Sequence, residues 1–273
     1  MRLTIEHTTV YRYDEAVPYS LQRLRLTPST GATQTVRHWS IDVDGANVGV
    51  TYNDQFDNVV KLVETDGPQT EVKVTAKGEV ETHDTHGVLG THLGNVPLWL
   101  YLRDTPLTKP GKLIRELAKS ISGENELARL HALMAAVHSR VEYLPGATTT
   151  QTTGEQALES GKGVCQDHTH IFSAAARLMG IPARYVSGYL LMDGVDNQVA
   201  THAWAEAHIG GLGWVGFDAA NLVCPDERYV RIATGLCFRD CTPVSGMRVG
   251  TSEEDLTVSV TVQQTQSQSQ SQS

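Results

Sequence analysis

Gly163-Val164-Cys165-Gln166-Asp167-His168 leads out of a glycine-bearing turn into an apolar pattern, Ile171, Phe172, Ala175, Leu178 and Met179, that ends at Gly180 with Pro182 beyond. Glycine after the last periodic residue and proline just past it stop a helix. The helix therefore starts near Cys165. Its thiol lies in the first turn, where unpaired backbone N–H groups and the positive end of the dipole favour a thiolate. The competing reading is a small buried hydrophobe, the ordinary state of a cytosolic cysteine. The strands downstream decide between them.

Thr201 to Ile209 alternates His202, Trp204, Glu206 and His208 on one face with Ala203, Ala205 and Ala207 on the other. The small apolar face suits packing. Gly210-Gly211-Leu212-Gly213 then reverses the chain into Trp214-Val215-Gly216-Phe217-Asp218, which predicts a hairpin. With a three-residue loop, opposed positions sum to an even number, so His202 and Asp218 share a face, directly across or on the diagonal. A two-residue loop would separate them. On one face, the acid holds one ring nitrogen of His202 and the other nitrogen activates the Cys165 sulfur: nucleophile, base and orienter. The backbone N–H of Cys165 is the natural first oxyanion donor; a second is not legible.

Upstream, Leu127, Leu130, Met134, Val137 and Val141 step by three and four residues and predict a helix, with Glu124 and Glu126 in its first turn. From Leu3 to Val80 the pattern is that of strands, as in Trp39–Val43, Val59–Val63 and Val72–Val74, with turn signals at Asp44-Gly45, Asn53-Asp54 and Asp66-Gly67-Pro68. His83 to Gly94, dense in Gly, His and Thr, reads as a long loop. Further strands are expected at Ala183–Met192, Tyr229–Ile232 and Leu256–Val262. The fold class is α+β: a β-rich domain over residues 1–105, then helices packed on an antiparallel sheet over 106–262. Residues 263–273, almost all Gln and Ser, are expected to be a disordered tail.

The chain has 273 residues, 40% apolar and 19% charged, a globular composition with room for about two domains. Twenty-two Lys and Arg against 31 Asp and Glu leave a net charge of −9, which argues against nucleic-acid and anionic-membrane partners. The longest apolar run, Val96 to Leu102, contains Pro97 and is far short of the ~20 residues a membrane helix needs. With no secretory pattern at Met1–His7, a cytoplasmic location is expected, and Cys165, Cys224, Cys237 and Cys241 are read as free thiols.

Four stretches together resemble the transglutaminase-like superfamily: Gly163–His168, Gly180-Ile181-Pro182-Ala183-Arg184-Tyr185-Val186-Ser187-Gly188-Tyr189, Thr201-His202-Ala203-Trp204-Ala205-Glu206, and Gly213–Asp218. The opening, Thr8–Tyr13 through Leu24–Pro28, is similar to the β-rich region that precedes this core in bacterial members. The resemblance implies a papain-like transglutaminase core with Cys165 as nucleophile, His202 as base and Asp218 as orienter. It also implies acyl transfer at an amide of a protein or peptide substrate, with water or an amine as acceptor. After Asp218, Ala219-Ala220-Asn221 departs from the Pro before the Asn that many members carry. Animal members need calcium, but no Asp-x-Asp-x-Asp-Gly loop is present, so no metal or other cofactor is expected.

Other readings compete with this one. Cys165, His168 and His170 cluster, as do Cys237 and Cys241, but residues two apart on a helix do not share a face and no Cys-x-x-Cys pair exists, which speaks against zinc. Asp167 fits the satisfaction of local N–H groups better than catalysis. Trp204 and Trp214 fit packing better than cleft lining. The rival functional class is a non-catalytic peptide-binding module retaining the fold. The glutamines at 263, 264, 266, 268, 270 and 272 are candidate acyl donors for a glutamine-specific site, against the plainer reading of a solubilising end.

Overall fold

The structure, a computed structural model, describes residues 1–65, 67–192, 194–195 and 197–265. Six strands come first: β1 (Arg2–Val17), β2 (Tyr19–Thr27), β3 (Gln34–Asp44), β4 (Ala46–Asn53), β5 (Val59–Thr65) and β6 (Gln69–Thr82). Leu3, Ile5, His7 and Thr9 of β1 turn inward and alternate with outward residues, the period that the pleat imposes. Gly45 and Gly67 take positive φ at two of the expected turns; Asp66 lies outside the described residues.

The rest of the chain contributes, in order, β7 (Val88–Gly90), α1 (Lys112–Ser120), α2 (Glu126–Arg140), β8 (Glu142–Tyr143), α3 (Gly154–Ser160), β9 (Lys162–Gly163), α4 (Cys165–Leu178), β10 (Ala183–Leu190), β11 (Asn197–Gln198), β12 (His202–Ile209), β13 (Gly213–Phe217), β14 (Tyr229–Gly235), α5 (Phe238–Cys241), β15 (Val244–Val249) and β16 (Glu254–Gln264). A 3-10 turn, Leu98–Leu102, occupies the apolar run before α1. No helix among the described residues is long and apolar enough to cross a membrane.

Two sheets, ordered β11-β16-β1-β6-β3 and β15-β2-β5-β4, form the β-rich part. Leu24, Leu26 and Val63 of one pack on Val74 and Ala76 of the other, and full burial of such aliphatic side chains is worth about 1.5–3 kcal/mol each. A third antiparallel sheet, β14-β10-β12-β13-β7, carries the helices. Ala205, Ala207, Val215 and Phe217 meet Ile171, Phe172 and Ala175 of α4 in one core, so the alanine face of β12 packs as expected, while Trp204 and Glu206 on its other face are buried as well.

The two halves interleave in ways the periodicity does not show. β7 lies inside the stretch expected to be a loop and pairs with β13; three residues are too short to show an alternation. β16, expected beside the sheet of the second half, pairs instead with β1 along eleven residues. It runs through Gln263 and Gln264, so those two residues of the expected disordered tail are ladder positions; residues 266–273 lie outside those described. α1 and α3 bury three positions each, Ile114, Leu117 and Ala118 in one and Gly154, Ala157 and Leu158 in the other, a helical spacing that lasts little more than one turn. α2 begins at Glu126, capped by the Asn125 side chain, which leaves Glu124 outside the helix.

Candidate active site

Cys165 is the first residue of α4. β9 runs parallel to β8 and delivers the chain into the helix; a Cβ on Gly163 would strike the Asp167 side chain. The Asp167 carboxylate turns back to accept the N–H of Val164 at 2.8 Å and the Thr148 hydroxyl at 2.6 Å. It therefore serves the helix start, as expected. Burial pushes its pKa up, against the pull of these bonds. Cys165 is 9% exposed and packs with Leu3, Ile5 and Val80 of the first sheet and with Tyr185, Tyr189 and Ala203 of the third. The sulfur thus sits where the two sheets meet.

The β12–β13 ladder pairs Ala205 with Phe217 and Ile209 with Gly213 across a three-residue loop. Continuing that register places His202 diagonal to Asp218 on the same face. His202 Nε2 meets Asp218 Oδ2 at 2.6 Å and has the Asn221 carboxamide nitrogen 3.4 Å away; Cys165 is near enough to act on the charge of the ring, with Nδ1 the nitrogen left for it. Burial alone would lower the His202 pKa; the negative sulfur and the Asp218 carboxylate overcome it and raise the pKa to about 10. The imidazolium is therefore the resting form at neutral pH.

Asp218 is fully buried. Its Oδ2 also accepts the Tyr229 hydroxyl and the Asn221 carboxamide N–H, each at 2.8 Å, while Oδ1 accepts the backbone N–H groups of Ala220 and Asn221. Burial works to raise its pKa, but the bonds from His202, Asn221 and Tyr229 hold it below the usual carboxylate range. The loop that lacks the usual proline still delivers its asparagine to the acid. Trp204 stacks on His202 with ring centroids 6.2 Å apart, and Tyr229 stands on Trp204 edge-on.

No sequence signal marks Tyr143. Its hydroxyl lies beside Cys165, and its pKa is raised to about 12 by partial burial first and by Cys165 second. It stays protonated and can donate. Neither Tyr143 nor Tyr229 carries a sequence signal of its role, because a phenol in a strand gives no clue to its partner; Asn221 stood in the loop already quoted.

The remaining candidates are placed elsewhere. His168 bonds the carbonyls of Val164 and Val141, and His170 accepts the N–H of Phe238 with its pKa lowered to about 3 by burial. Their ring nitrogens do not converge with the Cys165 sulfur, and among the described residues no three His, Cys, Asp or Glu side chains gather as a metal site would require. Cys224, Cys237 and Cys241 are free thiols, Cys241 with its sulfur toward the Tyr185 carbonyl. Trp204 and Trp214 are buried, and each also borders a cavity that does not include Cys165.

Comparison with known proteins identifies the family and the fold. Residues 115–219 match the model of the transglutaminase-like superfamily core, and residues 3–81 match that of the bacterial transglutaminase-like N-terminal region. The core match spans Tyr143, Cys165, His202 and Asp218. An uncharacterized protein of Mycobacterium leprae is 31% identical over 95% of this chain and 97% of its own length. An uncharacterized protein of Mycobacterium tuberculosis is 28% identical over 95% and 91%. Among solved structures, one from Cytophaga hutchinsonii named "Putative Cysteine Protease" superposes with a TM-score of 0.76 at 24% identity, covering 97% of this chain and 92% of that one; it shares the fold.

Proposed function

The chain belongs to the transglutaminase-like superfamily, and from that premise we propose that it is a cysteine enzyme that transfers acyl groups from amides, a glutamine side chain or a peptide bond, through a thioester on Cys165. The observation that carries this reading is the line from the Cys165 sulfur through His202 to Asp218, closed by the 2.6 Å contact of Nε2 with Oδ2.

In this mechanism the Cys165 thiolate attacks the amide carbon, and the carbonyl oxygen becomes an oxyanion. The N–H of Cys165, in the first turn of α4 and beside the Tyr143 hydroxyl, is the first donor to it. Tyr143 supplies the second donor: its hydroxyl holds the resting sulfur and turns to the oxyanion once the sulfur has bonded to carbon. The imidazolium of His202 gives its proton to the departing nitrogen, the C–N bond breaks, and the thioester remains. Water or a primary amine then attacks, its proton passes to His202, and the thiolate leaves. Asp218 keeps Nε2 engaged throughout, so that Nδ1 faces the sulfur. Water gives hydrolysis and an amine gives transamidation; the two differ in how well the acyl-enzyme is shielded from water.

The test is capture of the nucleophile. A thiol-directed electrophile at neutral pH should label the protein at Cys165, and a Cys165→Ala variant should neither label there nor form a thioester with an activated acyl donor. Absence of labelling in the unaltered protein would leave a peptide-binding module as the better reading. Mass analysis of the acyl group trapped from a cell extract would identify the substrate.

A further inference from the structure

On the face of the third sheet away from α4, the buried carboxylate of Glu206 stands between two guanidinium groups. Its Oε2 lies 2.5 Å from Arg184 Nε and its Oε1 3.2 Å from Arg231 Nε. One carboxylate between two permanently charged arginines leaves a positive charge unbalanced. Arg184 is otherwise engaged: it bonds the Tyr101 hydroxyl and lies flat over Trp214, 3.9 Å from the ring centroid. Arg231 is not. Its buried Nε has no hydrogen-bond partner, its contact with Glu206 is an ion pair without hydrogen-bond alignment, and the side chain retains 29% exposure.

Both arginines line a cavity of about 290 Å³ whose lining also includes the rings of Phe56, Tyr101 and Trp214, the last two against Arg184. Asp57, on an exposed turn, is the carboxylate on its lining. A dry apolar cavity of roughly 150 Å³ already admits a benzene ring, so this one has room for a ring and a charged group. A burial cost that leaves a guanidinium facing an enclosed space is relieved by an anion that takes two parallel N–H bonds from it.

We propose that this cavity binds a small monocarboxylate with an aromatic or similarly apolar body, its carboxylate on Arg231 and its body against Phe56, Tyr101 and Trp214. The site uses neither Cys165 nor His202 and stands whether or not the chain transfers acyl groups. It shares strands with the catalytic groups: Arg231 follows two residues after Tyr229, the donor to Asp218, in β14, and Glu206 lies on β12 with His202.

Calorimetric titration of the full chain at neutral pH with benzoate, with benzamide and with inorganic phosphate tests this. Benzoate should bind saturably at one site, about ten-fold or more tighter than benzamide, which has the same shape without the charge, and tighter than phosphate, which has charge without the ring. Arg231→Gln should weaken benzoate about ten-fold or more and leave benzamide unchanged. Benzoate no tighter than benzamide, or phosphate as tight as benzoate, would overturn the proposal on the unaltered protein alone. So would an undiminished benzoate affinity in a folded Arg231→Gln variant.

Discussion

His202 and Asp218 stand on adjacent strands two positions out of direct opposition, and their side chains close that diagonal with a 2.6 Å contact. Four further donors fasten the acid, Tyr229 and Asn221 from their side chains and Ala220 and Asn221 from their backbones. The histidine is thus oriented by a group that cannot itself turn. Replacing the carboxylate by a carboxamide of the same shape changes which proton Nε2 sees. Asp218→Asn should lower the rate of acyl-enzyme formation from p-nitrophenyl acetate by ~10²-fold or more through the wrong tautomer of His202. A rate within a few-fold of the unaltered protein would remove Asp218 from the mechanism.

The pH dependence of stability follows from the same pair. Burial opposes the His202 cation, but the sulfur and Asp218 raise its folded pKa to about 10, above the ~6.5 of an unfolded histidine. A raised pKa contributes stability that is fully present below about 6.5 and is lost as pH rises through about 10. The melting-temperature advantage of the unaltered protein over His202→Gln should therefore shrink across that window. An advantage that grew with pH would contradict the assigned direction.

Tyr143 is half exposed, so loss of its hydroxyl should cost little stability. As an oxyanion donor it is worth far more in the transition state than in the resting protein. Tyr143→Phe should lower kcat by ~10²-fold with KM nearly unchanged. Steady-state kinetics on an activated ester reads both, and an unchanged kcat would leave the Cys165 N–H without this partner.

Arg177 holds the far end of α4. Its buried guanidinium donates to the carbonyls of Tyr101, Ala183 and Leu236 and to the Thr108 hydroxyl. Removing it leaves these buried acceptors bare. Arg177→Met should destabilise the fold by about 3 kcal/mol or more in a urea titration; a loss under about 1 kcal/mol would show that water replaces the missing donors.

Gly188 pairs with His202 across β10 and β12, and any Cβ there would collide with the Val230 carbonyl and the Trp204 ring. Gly188→Ala should push Trp204, and with it the histidine it stacks on, out of place. The expected signs are a lower melting temperature and slower Cys165 alkylation together. Normal values of both would mean the strands absorb the methyl group.

The helix that presents Cys165, the hairpin that faces His202 toward Asp218 and the strand character of the first 80 residues were legible in the chain itself. Each rests on local periodicity and turn chemistry, and Gly180, Pro182 and the three-residue loop mark the ends without help from distant residues. What only the tertiary structure decided are contacts between segments far apart in sequence. β16 returns to pair with β1, β7 joins the third sheet, and Glu155 of α3 caps the backbone N–H groups of Gly111, Leu113 and Ile114 at the start of α1. Tyr143 reaches Cys165, and one glutamate is shared between two arginines. Periodicity reports which face of an element is apolar; it carries no record of which other element will cover that face or which hydroxyl will arrive beside a given sulfur, because those are set by long-range packing.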